Sequence, residues 1–479
     1  MSLAQSILHK NYKVEAFIGT PPEVSVTPGF PLIMAASLII FGRSFIPIKI
    51  FSFVCFLIAL VIWYKLFNSQ ELDKRILILM ILFAVLNPLI AEFSFWELTE
   101  ASFMLMSSAT ILFFFLALQK NNIGYWIITA ILAAGSFYIR AAGGVLPVAI
   151  GLTLVLQRKW KYFLVYTTVV VLIIMPWLIR FITIGHQVGG GIYTPQFITD
   201  LQTGEVLSIS GFISKAFRNL SRYLFVQLPS LYFPIGQNNF ATKSGLGIFI
   251  GLIFFMLIIL GIIKNIRSQQ NLYSVYVILT LLMLISFAEH AVLVRYLVVI
   301  YPFITILIIL GLKAILAKIK QKESVVLGIL LIITLLAIPS YFNLAVRNTR
   351  IRNEYIKSDK YAELEPNWLT FIEANEWLGK YDTTKIGVIS RKPTLTWWFS
   401  GHQAKGYLAR NNPSQVMADI DSSRAKYVIV DQVSSSTPQF LVPTIRAFPE
   451  RFKILYVTKR PETYVLEIIK KDSVNLLTQ

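Results

Sequence analysis

The sequence predicts an all-α polytopic membrane domain of about ten spans, residues 1–345, followed by a small extracytoplasmic α/β domain, residues 346–479. Three observations lead there. The 479-residue chain is 56% hydrophobic and 14% aromatic, with a mean hydropathy of +0.65, which excludes an ordinary soluble protein. Apolar runs of membrane length recur up to residue 343, where short strands begin to alternate with helices. Basic and acidic side chains fall on alternate sets of connectors, as topology demands.

A span needs ~20 mostly apolar residues. The runs that qualify are 49–66, 75–91, 101–119, 123–139, 141–157, 162–183, 245–263, 272–288, 297–312 and 325–343. The fourth and fifth are short and abut at Arg140-Ala141-Ala142-Gly143-Gly144, as a tight hairpin or one broken pair. Pro147, Pro176 and Pro302 either kink their helices or lie near helix starts. Residues 30–42 are apolar but too short to cross, the pattern of a half-inserted or interfacial helix.

Lys65, Lys74, Arg75, Lys120, Arg158, Lys159, Lys161, Lys264, Arg267, Lys313, Lys318, Lys320 and Lys322 share one set of connectors. Excess Lys and Arg in short loops marks the cytoplasmic face. Glu92, Glu97, Glu100, Arg140, Glu289 and Arg295 lie at the opposite boundary, where ionisable groups at membrane depth are candidates for function. The expectation is a multi-pass protein of the cytoplasmic (inner) membrane with its carboxyl-terminal domain extracytoplasmic. An even span count also places the amino terminus outside, yet residues 1–29 hold no signal-like apolar core. An upstream helix preceding this chain is therefore expected; a miscounted hairpin around Arg140 is the alternative.

The outer loops are residues 1–48 and 184–244. The second carries Gly185-His186-Gln187-Val188-Gly189-Gly190-Gly191 and aromatics such as Tyr223, Phe225, Tyr232 and Phe233. The glycines follow no strand and lack the lysine of a phosphate-binding loop, so they read as a flexible lid. In the tail, 385–389 and 426–430 read as buried strands. Helices start at Asn412-Pro413-Ser414 and at Pro438, and 452–457 with 463–469 form a hairpin around Arg460-Pro461-Glu462. No nucleophile elbow, Rossmann glycine fingerprint or catalytic dyad occurs there, so this domain is expected to recognise or cover substrate.

Other function classes fall away on composition. The formal net charge is +19, but the basic residues sit in connectors and tail without a basic, aromatic-interleaved stripe, so no nucleic-acid partner is expected. Cys55 is the single cysteine and the four histidines lack metal spacing, so no metal site is expected from them.

Ser2-Leu3-Ala4-Gln5-Ser6-Ile7-Leu8, then Pro21-Pro22 and Thr27-Pro28-Gly29-Phe30-Pro31-Leu32, resemble the first outer loop of GT-C-type membrane glycosyltransferases of the glycosyltransferase family 39-like group, which includes protein O-mannosyltransferases and the aminoarabinose transferase of lipid A. Thr99-Glu100-Ala101-Ser102-Phe103, Tyr138-Ile139-Arg140, Val294-Arg295-Tyr296-Leu297 and Tyr301-Pro302-Phe303 match further on. The helix around Trp377 and Tyr427-Val428-Ile429-Val430-Asp431 are similar to the outer domain. The resemblance implies transfer of a sugar from a polyprenyl-phosphate donor to a lipid, glycan or protein acceptor at the outer membrane face. It also implies an acidic residue, generally Asp, just before the segment matching Ser2–Leu8, so both that acid and the first helix are expected upstream.

Such transfer needs a base for the acceptor hydroxyl, positive charge for the departing phosphate, and an apolar groove for the prenyl tail. Glu100 and Glu97 are the catalytic candidates, as base or as the group that orients it. The competing reading is helix-start chemistry, with Thr99 as cap and Glu100 favouring the helix dipole. Arg295 with Tyr296 is the phosphate-binding candidate, against a snorkelling helix anchor. Arg140 lies between apolar runs and needs an anion, either lipid phosphate or Glu100. Glu92, Glu289 and His290 are possible accessory groups. No cofactor is certain, although a divalent cation is possible. A lipid-linked sugar flippase and a catalytically inactive scaffold are the rival functions. No internal repeat is evident and the charges gather at one rim, which favours the enzyme.

Overall fold

The computed structural model describes residues 2–42, 44–68, 72–185, 206–234, 244–266, 268, 270–287, 292–318, 324–356 and 364–469. They form two compact units. One comprises residues 24–198 and 207–347 and is helical; the other gathers 1–23, 199–206 and 348–479 around a small sheet. Residues 1–23, grouped with the helices by the sequence reading, are thus joined to the tail.

Among the described residues each of the ten apolar runs lies mainly on helix. By length and composition, five of the described helices are sufficient to cross a membrane: Ile46–Asn68, Glu100–Lys120, Trp160–Ile184, Gly245–Ile266 and Ser324–Glu354. The run at 75–91 is not one helix but two, Lys74–Leu86 and Pro88–Phe95, bent by 63°. Pro88 has no N–H to donate and restricts Asn87 to extended backbone, which ends the first helix. Asn87 makes the break stable. Its Oδ1 accepts from the amides of Leu89 and Ile90, and its Nδ2 donates to the Leu231 carbonyl at 2.7 Å. The remaining runs give shorter apolar helices, including Ile123–Ile139, Leu272–Ser286 and Tyr301–Ala317. Pro147 and Pro302 occupy the first turns of Val145–Leu156 and Tyr301–Lys318, whereas Pro176 is inside its helix.

Around Arg140 the chain forms a tight corner. Helix Ile123–Ile139 ends, a 3-10 turn covers Ala141–Gly144, and Val145–Leu156 follows. Gly143 permits it, because a Cβ there would sit 2.3 Å from the Ser136 carbonyl oxygen. A similar close approach joins helices Gly245–Ile266 and Tyr301–Lys318. A Cβ on Gly261 would lie 1.9 Å from the Leu307 oxygen, and one on Gly311 2.0 Å from that of Leu257. Lipid supplies little hydrophobic drive for helix association, so backbone proximity through small residues substitutes for it. The helical core closes around Trp63, Trp126, Tyr273, Tyr276, Tyr301 and Phe303, all buried.

In the other unit a five-stranded sheet runs in the order β2-β1-β3-β5-β4. The strands are β1 Gly387–Ile389, β2 Gln403–Lys405, β3 Ala425–Val430, β4 Phe452–Val457 and β5 Tyr464–Ile468. β1 pairs in parallel with β2 and β3, while β5 is antiparallel to β3 and β4. Alternation sends Val388, Tyr427, Ile429 and Val465 to one face, against Phe371 and Leu378 of helix Pro366–Tyr381. Ile389, Val428 and Leu466 face the other way, against Val416 and Ile420 of helix Pro413–Ser422. β2, absent from the sequence reading, is short and lies on the edge. There residues 15–18 lie beside it: the Ala404 amide donates to the Ala16 carbonyl at 2.8 Å, and that of Ile18 to the Ala404 carbonyl at 3.3 Å.

Candidate functional site

Three helix ends carry the candidate site, and each ends where it does for a local reason. Glu100 is the first residue of helix Glu100–Lys120. Arg140 is the extended residue between Ile139 and the 3-10 turn. Arg295 and Tyr296 open the short helix Arg295–Val298. Groups at helix ends escape the apolar middle of a span, and here three of them meet.

An Arg140 Nη donates to Glu100 Oε1 at 2.9 Å, and Arg295 Nε lies 3.6 Å from the same oxygen. Both guanidiniums also lie against the Tyr296 ring, at 4.8 Å and 5.1 Å from its centroid. The Glu100 side chain is only 1% exposed, and its Oε2 has no hydrogen-bond partner. One carboxylate therefore orders two cations, leaving one net positive charge on the cluster. A bare guanidinium at such depth is costly, and pairing with carboxylate and ring face reduces that cost. What the cluster does chemically is hold positive charge fixed in direction, with Arg295 the more exposed of the two cations. Thr99 makes no side-chain cap, so the helix-start reading of Thr99 loses its hydrogen bond.

Two further tyrosines belong to this neighbourhood. Tyr223 is buried and lies in electrostatic reach of Arg140, Arg222 and Tyr296. Tyr276 is likewise within reach of Arg140. Tyr223 starts a π-helical turn, Tyr223–Gln227, a distortion that recurs at functional sites. From the sequence it was one aromatic in a long loop, and no spacing links it to Arg140.

The other candidates lie apart from this cluster. Glu97 pairs with Lys49 at 3.3 Å. Glu92 pairs with Arg347 at 3.1 Å and lines a cavity of about 480 Å³ with Gln227, Ser230, Ser340 and Asn343. Phe233 borders that cavity and also a second one of about 420 Å³, whose walls are almost wholly apolar and include Phe83, Phe254, Leu257 and Ile333. Val294 lines the first cavity directly beside Arg295 in sequence. Glu289, His290 and residues 186–191 of the glycine cluster lie outside the described residues. Among the described residues, no three His, Cys, Asp or Glu side chains gather as a metal site.

Residues 25–180 match the family described as dolichyl-phosphate-mannose-protein mannosyltransferase. The structure of ArnT from Cupriavidus metallidurans bound to undecaprenyl phosphate aligns with 98% of this chain and 93% of its own, at 11% identity and TM-score 0.55. The fold of this chain is similar to that of these GT-C-type membrane glycosyltransferases. The apo form of that ArnT gives 10% identity, coverage of 99% and 93%, and TM-score 0.53. The Archaeoglobus fulgidus oligosaccharyltransferase, tethered with an acceptor peptide, covers 98% of this chain and 70% of its own, at 12% identity and TM-score 0.50. No curated protein matches by sequence.

Proposed function

We propose that this GT-C protein transfers a sugar from a polyprenyl-phosphate donor to an acceptor at the outer face of the cytoplasmic membrane. The observation that carries the proposal is the paired guanidinium cluster of Arg140 and Arg295 on Glu100 and Tyr296. The ArnT neighbour holds undecaprenyl phosphate, and the oligosaccharyltransferase neighbour an acceptor peptide. An amphiphile of that kind asks for apolar space beside charged groups; the two cavities that share Phe233, one of them lined by Glu92 and Arg347, supply both.

In the proposed reaction the acceptor hydroxyl oxygen attacks the anomeric carbon. The bond from that carbon to the phosphate oxygen breaks, and the phosphate leaves with the electron pair. Arg295, Tyr296 and Arg140 take up the growing charge. Glu100 acts as the positioning residue for both arginines, the second of the two roles its sequence context suggested. Both cations meet on its Oε1. Glu92, which lines the first cavity, and Glu97 are the carboxylates proposed to receive the acceptor proton, with Glu92 better placed by its opening into space. The sheet unit is proposed to be extracytoplasmic.

Reconstituted protein given polyprenyl phosphate carrying a radiolabelled sugar, with an envelope extract as acceptor source, tests the reading. Label moving to a new acceptor with release of free polyprenyl phosphate supports it. Label crossing the bilayer with its lipid linkage intact makes the protein a transporter instead. Label that does neither refutes catalysis.

A further inference from the structure

The sheet unit has a topological divergence at its strand ends. From β1 the chain passes through helix Pro393–Ser400 to β2, then returns through Pro413–Ser422 to β3 on the opposite side of β1. Leu395 and Phe399 place the first of these helices on the face of Val388, whereas Phe440 and Leu441, after β3, pack on the face of Ile389. The connections leaving β1 and β3 therefore diverge to opposite faces. Open α/β sheets bind ligands at the carboxyl ends of strands where such a divergence occurs.

The residues at this divergence are charged and incompletely paired. Asp431, directly after β3, is 1% exposed. Its Oδ1 accepts from the Val433 amide at 2.9 Å, but its Oδ2 has no hydrogen-bond partner. An unmatched buried carboxylate oxygen costs stability, and burial pushes this carboxyl pKa up, against the amide hydrogen bonds and Lys392. The backbone amides of Val433, Ser434 and Asp431 itself act on this carboxylate, and its Oδ2 keeps no hydrogen bond of good geometry. Directly after β1 come Arg391, resting 6.0 Å from the Tyr407 ring centroid, and Lys392, 5.5 Å from that of Trp368. Lys392 and Tyr407 both lie within electrostatic reach of Asp431. Arg391 is exposed and Lys392 half-buried, and Tyr407 lies within electrostatic reach of both Arg391 and Asp431.

We propose that the crevice between the carboxyl ends of β1 and β3 binds an anionic saccharide unit through Asp431, Arg391 and Lys392. Asp431 Oδ2 takes a sugar hydroxyl proton as hydrogen bond, and the two cations meet the acidic substituent. Their combined charge with Asp431 is +1, which selects an anion over a neutral sugar. The Trp368 and Tyr407 faces that now carry the cations become available to the sugar ring when those cations turn to the ligand. The site is independent of the Glu100 cluster and stands whether or not that cluster transfers sugar.

Equilibrium dialysis of the full chain in nanodiscs tests this with glucuronate, glucose 6-phosphate, glucose and inorganic phosphate as probes. Saturable binding of glucuronate or glucose 6-phosphate, at least tenfold tighter than glucose and inorganic phosphate, is expected. The two acidic sugars distinguish a carboxylate from a phosphate ligand. Asp431→Asn, nearly isosteric, and Lys392→Gln, at a half-exposed position, should each weaken that binding tenfold or more. Absence of saturable binding overturns the proposal. So does unchanged affinity in both variants, and inorganic phosphate binding as tightly as glucose 6-phosphate reduces the site to an anion trap and overturns the saccharide assignment.

Discussion

Replacing Glu100 by Gln removes the one negative charge that holds two guanidiniums together. At an effective dielectric of about 20, the gross attraction is about 6 kcal/mol to Arg140 at 2.9 Å and about 5 kcal/mol to Arg295 at 3.6 Å. Desolvation offsets much of this, and removing one partner of a buried pair costs about 3–5 kcal/mol. The Arg295 side chain is 32% exposed, so most of that loss falls on Arg140, which is 12% exposed. Arg140 and Arg295 then repel across the Tyr296 ring, and their phosphate-binding geometry is lost. Transfer should fall by about two orders of magnitude or more, equivalent to about 3 kcal/mol. Membrane insertion should be intact, because the helix starting at Glu100 keeps its apolar sequence. The assay is initial rate against donor concentration in proteoliposomes, with circular dichroism as the control for folding. A positioning role raises the donor KM. Normal turnover removes Glu100 from the mechanism. A lost rate with unchanged donor KM and affinity refutes the positioning argument and returns Glu100 to proton transfer.

Arg295→Ala should weaken donor binding by about tenfold to a hundredfold, the scale of one or two charge-assisted hydrogen bonds, and leave acceptor affinity within about twofold. Unchanged donor affinity would reassign Arg295 to helix anchoring. In the sheet unit, partial burial works against the Asp382 carboxylate, but hydrogen bonds from Thr384, Tyr427 and Lys426 outweigh it and hold the pKa well below the usual range. A lowered folded-state pKa stabilises above the unfolded value of about 4 and loses that contribution as pH falls through the folded value. Asp382→Asn should therefore lower the unfolding midpoint at pH 7 and make progressively less difference below about pH 4. A variant whose deficit stays constant down to pH 2 would contradict the assignment.

The agreement between sequence and structure has a physical pattern. The apolar runs at 101–119 and 245–263 became helices because a membrane-length segment must satisfy its backbone internally. Asn87-Pro88 broke the run at 75–91 by a rule visible in the dipeptide, yet its 63° bend needed the Leu231 carbonyl, distant in sequence, to hold it. Strands β1, β3, β4 and β5 were legible from alternation and length, while three-residue β2 carries too little pattern to be read. The candidates Glu100, Arg140, Arg295 and Tyr296 were each legible as charge or aromatic at a helix end.

By itself, the sequence determined the class of molecule: hydropathy and charge segregation act through solvent, bilayer and local backbone, and need no partner in the chain. Only the tertiary structure decided which charges meet. Glu97 and Glu100 are three residues apart, yet Glu97 pairs with Lys49 and Glu100 with Arg140 and Arg295. Electrostatic pairing falls off over a few ångströms, and distances of that size between remote helix ends are set by packing rather than by spacing along the chain.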